Sequence, residues 1–183
     1  MFALGGVLVA TGLDPTFSWS HDALSDLGVR PASALPFRLG LLLGGLLGTV
    51  YGIGIWKQGT TTPTKSVGIL FAGSASSLAG VGVFVIGHPL HQPAAIGFFG
   101  LAMLAFATDG VSRETRSATV TLILLVALIG SWVTWAYGLW PGPGLALPEM
   151  IGAVIVATWM WCFSPLPAIV DPMDVANRES TEA

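Results

Sequence analysis

The chain has 183 residues, 53% of them apolar and 9% charged, with mean hydropathy +0.77 and formal net charge -3. An average soluble domain carries about 25% charged residues, and a soluble core of this length cannot bury so much apolar surface, so the bilayer must be the solvent for most of it. Basic residues are scattered singly, which excludes a nucleic-acid surface, and a single cysteine, Cys162, excludes an internal disulfide while leaving the redox compartment undecided.

Taken in chain order, the apolar segments predict an all-α, six-helix transmembrane bundle in one domain, residues 1–165, followed by a polar acidic tail, 166–183. The first segment, 1–13, is apolar but short. It lacks the basic region and cleavage site of a signal peptide and reads as a first helix, completed either by a start upstream or by continuation to about Phe17. Five clear spans follow at 34–56, 66–87, 93–109, 117–139 and 145–165, each close to the roughly 20 residues of a membrane-crossing helix. In the second span Gly40, Gly44, Gly48 and Gly52 recur at every fourth position, and Gly68, Ala72, Ser76 and Gly80 do so in the third. Small residues at that spacing let backbones approach closely, so these two spans are expected to touch. Homodimerisation through the Gly40/Gly44/Gly48/Gly52 ladder, or association with another membrane protein, is the alternative use of such a groove.

Sidedness follows from Lys and Arg in the short connections. Lys57, Lys65, Arg113, Arg116 and Arg178 lie on one side, against Arg30 and Arg38 on the other, which puts both termini in the cytoplasm. Aromatic belts are expected from Trp132, Trp135, Tyr137 and Trp140 at the outer end and from Tyr51, Trp56, Trp159 and Trp161 near the inner ends.

The extracytoplasmic side then collects a polar cluster: Ser20, His21, Asp22, Ser25, Asp26, His88, His91 and Glu149. Ionisable groups at a membrane edge are costly unless they pair, bind an ion or face water, so their one-sidedness marks a candidate site. In the loop 14–33, Asp22 and Asp26 share a face if a helical turn forms; equally, Ser20 or Asp22 caps a short interfacial helix that Gly28 ends in the left-handed conformation. In the turn Gly87-His88-Pro89-Leu90-His91-Gln92-Pro93, two histidines three apart can share an ion or simply bond to carbonyls and water. At Leu147-Pro148-Glu149 an acid in a first helical turn meets the positive end of the helix dipole.

Ser25-Asp26-Leu27-Gly28, the histidine turn and Pro148-Glu149, set on six spans, resemble the family called domain of unknown function 998, prokaryotic and largely archaeal and actinobacterial membrane proteins distantly similar to the Frag1/DRAM/Sfk1 group. The resemblance covers nearly the whole chain and implies six helices and a membrane location, without an assigned activity. Two functions are compatible with it. One is a lipid-binding, transport or assembly module in which the cluster ties the loop 14–33 over the extracytoplasmic end of the bundle, with membrane lipids as partners. The alternative is a metal-dependent hydrolase acting on lipid headgroups, with His21, His88 and His91 holding a divalent ion such as zinc and Glu149 or Asp26 activating water.

Overall fold

The computed structural model describes residues 2–113 and 115–165. Among these the chain is all-helical: α1 Phe2–Leu13, a short 3-10 helix Leu24–Gly28, α2 Ala34–Gln58, α3 Thr62–Val83, α4 His91–Ser112, α5 Arg116–Ala136 and α6 Ala146–Cys162. Helices α2 to α5 are each long and apolar enough to cross a bilayer, whereas α1 and α6 are shorter apolar helices. The acidic tail expected over 166–183 lies outside the described residues.

Several helix ends differ by three residues or more from those expected, and those of α1 and α3 have a local cause. Helix α1 stops at Leu13 and does not continue to Phe17. Pro15 disfavours helical backbone at Asp14, whose carboxylate accepts from the Thr16 amide at 3.0 Å and hydroxyl at 2.6 Å, closing a turn. Helix α3 occupies Thr62–Val83 rather than 66–87. Its start is fixed by Thr61, whose side chain accepts from the Thr64 amide at 3.3 Å, and by Pro63 in the first turn. Its end precedes three apolar residues, Phe84 to Ile86, that hydropathy alone adds to the span but that lead into the turn at Gly87, where φ is +91°.

Each helix packs on its neighbour in sequence, from α1 on α2 through to α5 on α6. The small-residue row of α2 serves two partners rather than one. A Cβ added to Gly52 would stand 2.6 Å from the Ala72 amide nitrogen of α3, and one on Gly48 2.9 Å from Ala75. At Gly40 and Gly44 the nearest atoms belong instead to Gly6 and Ala3 of α1, at 2.7 and 2.8 Å. Every fourth position drifts by about 40° around a helix of 3.6 residues per turn, so the row turns from α1 to α3 along its length. Both stretches of the ladder are thus covered within one chain.

Two apolar cores result. One, around Phe106 and Trp159, joins α3 to α6 at the end of the bundle remote from the loop 14–33; the other, around Val7, Leu27 and Phe37, lies beneath that loop. Trp159, expected in an interfacial belt, is fully buried between Phe71 and Phe106.

Candidate functional site

The loop 14–33 closes one end of the bundle. Its frame is Arg30, which pairs with Asp14 at 3.2 Å and Asp22 at 2.9 Å. Hydrogen bonding holds both carboxyls below the ordinary carboxylate range. For Asp14 the main cause is the Thr16 hydroxyl, and for Asp22 it is the Ser18 amide; Arg30 adds to each. The connection from α5 to α6 lies against this frame, with the Gly144 amide donating to Ser20 O and the Ala146 amide to Asp22 O, both at 2.9 Å. So close an approach needs glycine: a Cβ on Gly144 would fall 2.6 Å from Asp22 O, and Gly142 has φ +106°.

Within the loop, the Ser-Asp-Leu-Gly segment forms the 3-10 helix. Neither Ser20 nor Asp22 caps it. The cap is Ala23, whose amide donates to the Asp26 carboxylate at 2.8 Å, and Gly28 keeps an ordinary negative φ, with the Phe37 ring 3.2 Å from where a Cβ would stand. Asp22 precedes the helix, so the two aspartates work separately, one on Arg30 and one on the cap. Leu27 is fully buried, and its carbonyl accepts from the buried Ser33 hydroxyl at 2.9 Å.

Glu149, on the first turn of α6, reaches this loop. Its Oε2 accepts from the Leu24 amide at 2.7 Å, 125 residues away in sequence. That bond comes from backbone, not from His21, Asp22 or Asp26. The histidines stay apart. His21 Nδ1 bonds to the Ser20 and Ser18 hydroxyls at 2.8 and 3.2 Å; exposed His88 stacks on Phe84 and accepts from the Leu90 amide at 3.1 Å. His91 is the first residue of α4 and donates from Nδ1 to Phe84 O at 2.7 Å. Among the described residues no three His, Cys, Asp or Glu side chains gather as an ion-holding group, so the set His21, His88 and His91 is not assembled.

Beneath the loop lies a cavity of about 140 Å³. Helices α1, α2, α3, α4 and α6 wall it with almost wholly apolar side chains, from Leu4 and Val7 on one flank to Val156 and Met160 on the other. Polar side chains enter at few points. Ser74 is spent on Phe98 O at 2.6 Å, which leaves Ser25, His91 and Glu149 gathered where the loop closes the chamber. These three side chains come from separate elements, the 3-10 helix, α4 and α6. A cavity of this volume takes an apolar group of about benzene size, such as the few carbons of a chain next to its head.

A second polar centre, absent from the sequence reading, lies in the opposite core. Asp109, 1% exposed, pairs with Arg113 one turn on and accepts from Thr121 Oγ1 at 3.2 Å and Trp159 Nε1 at 3.1 Å. Arg113 also donates to Phe163 O at 2.9 Å, so α4, α5 and α6 are tied together here. The available signal was an acid at the end of an apolar span with an arginine four residues later.

Four helices long and apolar enough to cross a bilayer mark an integral membrane protein. The chain belongs to the family described as protein of unknown function (DUF998), whose model matches residues 1–164. No curated protein and no solved structure matches the chain.

Proposed function

We propose that this chain is a multi-pass cell-membrane protein that holds a lipid by one hydrocarbon chain, as a carrier or assembly module. The observation that carries the reading is the chamber: apolar throughout, yet ending in Ser25, His91 and Glu149. A preformed apolar cavity in a bilayer gains nothing from excluding water, so its worth lies in a shaped occupant drawn from the membrane. In this reading all six helices belong to the membrane domain and both termini face the cytoplasm. The loop 14–33 and the 137–145 connection form the extracytoplasmic roof, as the bias of Lys and Arg supports. Helix α1, about 18 Å long at 1.5 Å per residue, lies along the first part of α2 and spans only that depth.

The test is to purify the protein from its membrane and identify lipids that stay bound through detergent exchange. One tightly held lipid per chain is expected, lost when Ala153→Trp fills the chamber from α6. Retention of the same lipid complement by that variant, correctly folded, would place the lipid outside the chamber and overturn the reading.

A further inference from the structure

The polar end of the chamber discriminates by hydrogen-bond sense. On the lipid-chamber reading above, we infer that the occupant's head is a hydrogen-bond donor without phosphate, of the long-chain amine or alcohol class. Glu149 spends Oε2 on the Leu24 amide, which leaves Oε1 as an acceptor. The Phe84 carbonyl can only accept, so His91 Nδ1 must carry the proton in that bond, and in the neutral ring Nε2 is then an acceptor as well. Ser25, 8% exposed, lines the chamber with a hydroxyl that accepts or donates and has no hydrogen-bond partner among the described residues.

Cations are missing from the same place. Among the described residues no Lys or Arg lines the chamber. The two arginines at this end are committed elsewhere, Arg30 to Asp14 and Asp22 and Arg38 to Gly82 O at 3.2 Å. A phosphate head would therefore be taken into an apolar setting with no Lys or Arg among the described lining residues to offset its charge. A phosphate also brings acceptors to acceptors, and unpaired buried polar groups are the strongest source of rejection. An amine or hydroxyl donates to whichever of Glu149, His91 and Ser25 it meets.

The experiment uses three photoreactive probes with one dodecyl chain and different heads: amine, alcohol and phosphate. The full chain is placed in phosphatidylcholine nanodiscs, and labelled peptides are mapped by mass spectrometry. Amine and alcohol are expected to label chamber-lining peptides at least about tenfold more than the phosphate, a gap of one decade in affinity. Glu149→Gln should narrow the gap between amine and phosphate while leaving alcohol labelling in place. Equal labelling of the chamber by all three heads in the unmodified protein, abolished by Ala153→Trp or by Ala157→Phe, would overturn the head assignment and leave the lipid chamber standing. Labelling that both filling variants leave unchanged would overturn both.

Discussion

Asp109 and Arg113 show how unevenly two partners of one ion pair can be replaced. Removing Arg113 strands the Asp109 carboxylate, which is buried with Thr121 and Trp159, and costs about 3 kcal/mol or more, whereas replacing both by apolar residues of similar volume is often tolerated. Arg113→Leu should therefore lower thermal stability in detergent clearly more than the double variant Asp109→Leu with Arg113→Leu; equal losses would mean that the pair is not coupled. Asp14 and Asp22 yield a prediction in pH. Their folded-state pKa values are lowered, so their contribution is present above the ordinary carboxylate value of 3.8 and is lost as pH falls through the depressed values. Amide-exchange protection at Ser18, corrected for intrinsic rate, should persist at about pH 6 and disappear in the acid range while the helices stay protected. Arg30→Gln should move that loss to higher pH. Among these residues the sequence was informative about the polar loop and silent about Asp109. A lone acid at a span boundary has the same sequence appearance whether it faces water or a buried tryptophan.

At the level of elements, close backbone contact decides which glycines matter. A methyl group on Gly52 would stand 2.6 Å from the Ala72 nitrogen and 2.8 Å from Gly68 O, both backbone atoms that cannot move without parting α2 from α3. At Gly5 and Gly100 the same methyl meets nothing within 4 Å. Gly52→Ala is expected to destabilise the bundle by about 2 kcal/mol, as overpacking does. Gly5→Ala and Gly100→Ala should be neutral or slightly stabilising, because alanine is the better helix former. Melting curves of the three variants in one detergent decide this, and similar shifts for all would argue against the interface. The rows of small residues were legible from their period alone. Their division between α1 and α3 was not, since it depends on where each helix crosses α2. The ends of α3 were hidden for a related reason: hydropathy sums Phe84 to Ile86 into the span, while capping by Thr61 and the turn at Gly87 set the helix.

For the molecule as a whole, three connections lie at the end where the chamber has its polar groups: the loop 14–33, the turn before His91 and the segment entering α6. That Glu149 meets this loop was foreseeable from the alternation of spans, but the partner was the Leu24 amide, and a backbone donor leaves no mark in a sequence. On the proposed topology the opposite end, with Lys57, Lys65, Arg113 and Arg116, lies in the cytoplasm. In a Cys162→Ser background, cysteine at exposed Leu90 or exposed Leu139 should react with an impermeant maleimide on intact cells. Cysteine at exposed Thr60, between α2 and α3, should react only after permeabilisation. Labelling of the Thr60 position from outside with protection of the other two would invert the bundle. It would then turn the chamber's polar side chains, Ser25, His91 and Glu149, towards the cytoplasmic leaflet.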